Sequence, residues 1–176
     1  MKHSSPLETE VKLRIPALAP LRPLLLALGF AERTSAQAEE SVLWDRDGGL
    51  RAQGSALRLR RYAGEARLTW KGPVVPDPIL KIRPEEETSV ADPEAMEAIL
   101  RGLGFAPVLR MAKTREVWER EELEACLDET PFGCFLELEG DPQAIRAAME
   151  HLCLDASRVE PRSYPALFEA HGLGQV

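Results

Sequence analysis

The sequence predicts an α+β fold: a closed eight-stranded antiparallel β-barrel with its helices packed outside. Most of the chain alternates apolar and polar residues with period two, the pattern of strands that bury one face. The connections between these segments are short and rich in turn residues, which suits antiparallel neighbours and disfavours a doubly wound parallel sheet. A faint internal echo also runs through the chain. Leu28-Gly29-Phe30-Ala31 precedes Val42-Leu43-Trp44 at nearly the spacing by which Leu103-Gly104-Phe105-Ala106 precedes Glu116-Val117-Trp118. Two similar halves, each a strand-helix-strands unit, close naturally into a barrel.

In chain order, alternation predicts a first strand over Leu7 to Ile15, and an Ala/Leu-rich helix follows over Pro16 to Leu28, closed by Gly29. Strands are then expected over Val42 to Asp45, Ala56 to Tyr62, Ala66 to Lys71 and Ile79 to Val90. Asp47-Gly48-Gly49, Ala63-Gly64, Gly72-Pro73 and Pro76-Asp77-Pro78 mark the turns between them. Asp92 as N-cap and Pro93 at the first helical position open a second helix, with Met96, Ile99, Leu100 and Leu103 on one face and Gly104 at its end. Lys113 to Trp118, Leu123 to Asp128 and Cys134 to Glu139 complete the strands, with Pro131-Phe132-Gly133 between the last two. Asp141 and Pro142 repeat the helix-start signal before Ile145, Ala148, Met149 and Leu152.

The totals bound the function. A chain of 176 residues, 44% hydrophobic and 29% charged, supports one ordinary core, so residues 1–176 are expected to form a single domain. A net charge of −7 opposes general nucleic-acid binding, and any anion site must be local. No apolar run approaches membrane-span length and no signal-peptide pattern opens the chain, which implies a soluble, cytoplasmic protein with no membrane partner. Cys126, Cys134 and Cys153 are too few and scattered for a disulfide framework or a C-x-x-C site, and His3, His151 and His171 have no metal-binding spacing. No G-x-x-x-x-G-K-[ST] loop exists to cradle phosphates with backbone amides.

The charges fall on strand faces. Alternation puts Glu8, Glu10 and Lys12 on one face of the first strand and Leu7, Val11 and Leu13 on the other. Neighbouring carboxylates in such a row lie only ~6.6 Å apart at Cα and repel unless a cation is near. Arg58 and Arg60 alternate with Leu57 and Leu59, Arg67 and Lys71 with Leu68 and Trp70, and Lys113 and Arg115 precede Val117-Trp118. Lys81, Arg83, Glu85 and Glu87 share one face, as do Glu137 and Glu139. On a single strand such a face equally suits an ordinary sheet turned to water. If the sheet closes on itself, the apolar residues, Trp70 and Trp118 included, bury under the helices and the charges line the lumen. A lumen with about eight Lys and Arg and about seven carboxylates suits a polyphosphate on one side and Mg²⁺ or Mn²⁺ on the other.

These residues resemble the CYTH family, the triphosphate tunnel metalloenzymes, which include class IV adenylyl cyclases, thiamine triphosphatases and inorganic triphosphatases. Glu8-Thr9-Glu10-Val11-Lys12 looks like the E-x-E-x-K motif, Leu57-Arg58-Leu59-Arg60-Arg61 the paired-arginine strand, Leu68-Thr69-Trp70-Lys71-Gly72-Pro73 the lysine strand and Arg83-Pro84-Glu85-Glu86-Glu87 the mixed strand. Lys113-Thr114-Arg115 resembles the K-x-R element, Asp128 the strand-end aspartate, Phe135-Leu136-Glu137-Leu138-Glu139 the F-x-E-x-E strand and Glu160-Pro161-Arg162-Ser163-Tyr164 the closing segment. Many relatives carry a tyrosine in the strand after the first helix, where this chain has Val42-Leu43-Trp44-Asp45, so a tyrosine-lysine dyad is not expected.

The resemblance implies a metal-dependent hydrolase of tripolyphosphate or an organic triphosphate. A class IV adenylyl cyclase is the alternative, and a non-catalytic polyphosphate or nucleotide binder is a second one. Arg58, Arg60, Lys71, Arg83, Lys113, Arg115 and Lys12 would bind the phosphates. Glu8, Glu10, Glu137 and Glu139, with Glu85, Glu87 and Asp128 as further ligands, would hold Mg²⁺ or Mn²⁺. Lys12 and Glu10 are the candidate catalytic pair. Family habit implies a monomer or homodimer.

Overall fold

The computed structural model describes residues 7–176, so His3 lies outside the described part. Eight strands form one closed antiparallel barrel: β1 (Leu7–Ile15), β2 (Ala31–Asp45), β3 (Ala56–Tyr62), β4 (Glu65–Lys71), β5 (Lys81–Ser89), β6 (Ala106–Arg120), β7 (Leu123–Thr130) and β8 (Gly133–Glu139). The helices are α1 (Leu21–Ala27), α2 (Gly49–Ala52), α3 (Pro93–Gly102), α4 (Pro142–His151) and α5 (Tyr164–Ala170).

Around the barrel the order is β1-β5-β4-β3-β2-β6-β7-β8, with β8 paired back to β1. Exchanging each strand of the first four with the strand four places later leaves this circular order unchanged. The internal echo is therefore a two-fold symmetry of topology: two strand-helix-meander units joined along β2–β6, along β1–β5, and along the equivalent pairs β4–β5 and β1–β8.

Local chemistry sets the element ends. Asp92 accepts a hydrogen bond from Ala95 N at 2.9 Å, and Asp141 accepts from Gln143 N and Ala144 N at 2.9 and 3.0 Å, each ahead of a proline in the first turn. Ala63 and Gly64, at φ 52° and 77°, make the tight left-handed turn that suits the twist of the β3–β4 hairpin.

Three expectations need correction. The first helix starts at Leu21 rather than Pro16, because Pro20 lacks an N–H and its ring obstructs the carbonyl four residues back; it sits as the N-cap instead. β2 and β6 each run 15 residues, far beyond Val42 to Asp45 and Lys113 to Trp118, because Ala31–Glu40 pairs with the second half of β6 through mostly exposed, polar residues with no apolar rhythm. Trp70 is 37% exposed, since no helix lies over its part of β4, whereas Trp118 is buried as expected.

Side chains on the outer barrel face pack under the helices. Val11, Leu13, Trp118, Leu127, Leu136 and Leu138 meet Leu25 of α1 and Ile145 and Met149 of α4, while Val42, Trp44, Leu59 and Ala66 meet Leu100 of α3. Trp118 Nε1 donates to Glu116 at 2.6 Å, and Arg22 of α1 grips the same carboxylate, so even the buried indole has its polar partner. With the apolar faces used outside, the alternate residues are left to line the interior.

Candidate active site

The barrel interior is a cavity of about 1230 Å³. Of the site residues expected from sequence, all except Asp128 line it, brought together from six strands. Register explains the convergence: Glu8 and Glu10 of β1 stand opposite Arg83 and Lys81 of β5, Lys12 and Glu10 opposite Glu137 and Glu139 of β8, and Lys71 opposite Glu85.

One side of the lumen is rich in acids. Lys71 Nζ bridges Glu8 and Glu85 at 2.6 Å each, Lys81 Nζ donates to Glu10 at 2.7 Å, and Lys12 Nζ lies 3.3 Å from Glu137, which also accepts from Arg115. Glu139 makes no ion pair among the described residues. Burial, reinforced by Glu8, pushes the Glu139 carboxyl up to about 8, and burial with Glu10 beside it pushes Glu8 up to about 7. Burial also opposes ionisation of Glu10, yet Lys81, Lys71 and Lys12 outweigh it and hold that carboxyl well below its usual range.

Apart from Glu139 these carboxylates are turned onto lysines and arginines, and no group of three or more His, Cys, Asp or Glu among the described residues is arranged to hold an ion. In chemistry the set still fits a hard divalent cation. Its donors are all oxygens, and burial, with neighbouring carboxylates adding to it, disfavours the charge on Glu8 and Glu139 until a cation is near.

The other side is basic. Arg58 and Arg60 of β3 and Lys113 and Arg115 of β6 line the cavity on either side of β2, and the Nε atoms of Arg58 and Arg60 are buried without a hydrogen-bond partner in the structure. Arg58 makes no ion pair among the described residues. Asp128, on the inner face of β7 but fully buried beneath the lining side chains, accepts from Arg115 Nε and Nη2 at 2.7 and 2.6 Å, from Lys113 Nζ at 2.9 Å and from Tyr164 Oη at 2.6 Å. Tyr164 also lies under both Lys12 and Lys113, each 4.0 Å from its ring centroid.

Sequence reasoning missed several lining residues. Glu39 sits on the unrecognised half of β2. The alternation places Lys81 on the charged face with Arg83 and Glu85 but gives it no role in the site. Tyr62 and Tyr164 lie outside the charge pattern. Where relatives have a tyrosine, Leu43 faces the cavity and Trp44 is buried outside. Burial raises Tyr62 to about 12 and Tyr164 well above the ordinary phenol range, so neither supplies a phenolate near neutrality.

A closed antiparallel barrel that spends its outer face on the core and fills its interior with opposed charges belongs to the class of triphosphate tunnels. The chain belongs to the CYTH family, whose domain model matches residues 6–160. It is 35% identical over 134 residues to a candidate adenylate cyclase of Methanocaldococcus jannaschii, covering 76% of each chain. Among solved structures, a candidate adenylate cyclase from Vibrio parahaemolyticus superposes with a TM-score of 0.83 at 21% identity, covering 94% of this chain and 99% of that one. A candidate adenylyl cyclase from Hippeastrum, described as having a dominant triphosphatase activity, gives 0.70 at 22% identity, covering 93% and 96%. CYTH members are adenylyl cyclase-like or triphosphatase enzymes, generally dependent on a divalent metal.

Among the described residues no helix is long and apolar enough to cross a membrane.

Proposed function

We propose that the chain hydrolyses the phosphoanhydride of tripolyphosphate or an organic triphosphate inside its barrel, with Mg²⁺ or Mn²⁺ as cofactor. The observation that carries this reading is the pair Arg58 and Arg60, guanidiniums in the lumen whose buried Nε donors have no partner in the structure. A buried cationic donor left unbonded is costly, and phosphate oxygens match its fork. The triphosphatase activity of the Hippeastrum relative supports hydrolysis over other chemistry.

In this reading Arg58, Arg60, Lys113 and Arg115 hold the phosphate chain, with Lys71 and Arg83 completing the grip from β4 and β5, next to β3 in the ring. Asp128 and Tyr164 fix Arg115 and Lys113 in place, so Asp128 acts by aiming cations rather than as a metal ligand. Glu8, Glu10, Glu137 and Glu139 would hold the divalent ion, with Glu85 tied to Glu8 through Lys71, whereas Glu87 is bonded to Thr69 and Arg67 beside Arg60. A bound ion supplies Lewis acidity and charge neutralisation at the phosphates. Glu10, held well below the usual carboxylate range by its three lysines, suits a ligand better than a proton acceptor. Lys12, packed on Tyr164, presents its ammonium to charge developing on the transferred phosphoryl group.

The relative in M. jannaschii favours a second reading, adenylyl cyclisation of ATP. The cavity supports it too, since about 1230 Å³ exceeds the usual span of ~300–1,000 Å³ for a ligand pocket and leaves room beyond three phosphates. The deciding assay offers tripolyphosphate, ATP and thiamine triphosphate with Mg²⁺ or Mn²⁺ and follows phosphate, pyrophosphate and cyclic AMP. Phosphate without cyclic AMP is the expected result. Cyclic AMP with stoichiometric pyrophosphate makes the chain a cyclase, binding without turnover makes it a sensor, and hydrolysis that persists in excess chelator sinks the metal mechanism.

A further inference from the structure

Glu39 is 3% exposed, faces the lumen from β2, and stands among the cations assigned above to the phosphates, so any role given to it rests on that assignment. Its oxygens lie 3.7 Å from Lys113 Nζ, 3.6 Å from Arg115 Nε and 3.7 Å from Arg60 Nη1. Only Ser41 Oγ donates to it, at 3.4 Å, and its Oε2 is buried with no hydrogen-bond partner in the structure. The two neighbouring acids behave differently. Asp128 is bonded at 2.6 to 2.9 Å to the donors it holds, and Glu87, although 3.5 Å from Arg60, is anchored on Thr69 and Arg67 at 2.7 and 2.8 Å. Glu39 alone offsets the charge of the cluster without occupying its donors.

We propose that Glu39 is an affinity-setting residue of the site, a fixed carboxylate that stands in for part of the substrate's charge and sets how tightly the seat of Arg58, Arg60, Lys113 and Arg115 holds a polyphosphate. Without a bound anion it relieves the mutual repulsion of four cations. With one, it repels the phosphates next to it and limits how strongly they and the products are retained. Burial alone would favour protonation, but Lys113, Arg115, Arg58 and Arg60 hold its carboxyl at about 2, so the charge is present throughout the neutral range.

The test is calorimetric titration of wild type, Glu39→Gln and Glu39→Asp with tripolyphosphate and pyrophosphate in excess chelator, where no metal-dependent turnover occurs. Glu39→Gln should bind both anions about tenfold tighter, with a steeper salt dependence, and Glu39→Asp, which restores the charge, should return affinity towards wild type. Equal or weaker binding by folded Glu39→Gln overturns the proposal, as does tightening by Glu39→Asp to the same extent. If Glu39→Gln melts early from unopposed repulsion, tripolyphosphate should restore its melting temperature; failure to do so also overturns it. Wild type that binds no tripolyphosphate at all refutes the triphosphate reading itself, a distinct result.

Discussion

Arg58 and Asp128 show two opposite treatments of a charge inside one barrel. Arg58 has a buried donor and no ion pair among the described residues, so its worth lies in what it binds. Arg58→Ala should lower kcat/KM for tripolyphosphate about 10- to 100-fold without lowering the melting temperature, as steady-state kinetics and a thermal melt would show. Asp128 has no exposure and is saturated by two cations and a phenol. Asp128→Asn should cost about 3–5 kcal/mol in urea denaturation, because it strands Arg115 and Lys113 beside a neutral amide. Most site residues were legible in the sequence because charge alternating with leucine is a strand-face signal that survives without structure. Glu39 was not, because Gln37, Glu39 and Glu40 lie in a polar run with no apolar partner to set the phase. Asp128 was legible as an acid of the site, but its burial beneath Arg115 depends on the β6–β7 register.

At the scale of elements, the segment leading into α5 is stitched to β1. Glu160 N donates to Lys12 O at 2.8 Å, Lys12 Nζ donates to Arg162 O at 3.1 Å, and the Glu160 carboxylate accepts from Arg14 at 2.8 and 2.9 Å and from Arg162 at 2.7 Å. The Arg162 bonds, with those of Arg14, hold this carboxyl at about 2 against burial. A folded-state value below the unfolded one gives stability that is present above pH ~4.5 and lost as pH falls through ~2. Glu160→Gln should therefore be less stable by about 1–2 kcal/mol at pH 7, allowing for water around the half-exposed arginines, with the gap closing by pH 2 in urea denaturation. Helices with aspartate-proline starts were legible to within a residue or two. α1 was misjudged because Ala and Leu propensity was weighed above Pro20, and α5 was missed because its Ser163 cap and seven residues carry little periodicity.

For the whole molecule, a chain of net charge −7 concentrates its cations inside. If the acid-rich wall holds a divalent ion, saturating Mn²⁺ should raise the melting temperature by several degrees, as expected of a ligand that binds only the folded state. Glu10→Gln should remove that rise and abolish turnover, and should lower the metal-free melt without preventing folding, because Lys81 loses its carboxylate partner. Loss of folding would make Glu10 structural. The closed barrel itself was legible from eight alternating segments, short turns and the paired halves, whereas the length of the β2–β6 ribbon was not.

The strand that begins the described chain is also the one that closes it: β1 is zipped on one side to β5 and on the other to β8, the last strand in sequence. Until β8 has been made, the ring has a missing wall, and Glu8, Glu10 and Lys12 have no opposing Glu137 and Glu139. Pairing ends so far apart in sequence is the slow kind of folding event. The acid-rich wall thus exists only in the closed ring, and without β8 the chain is an open, charge-lined sheet.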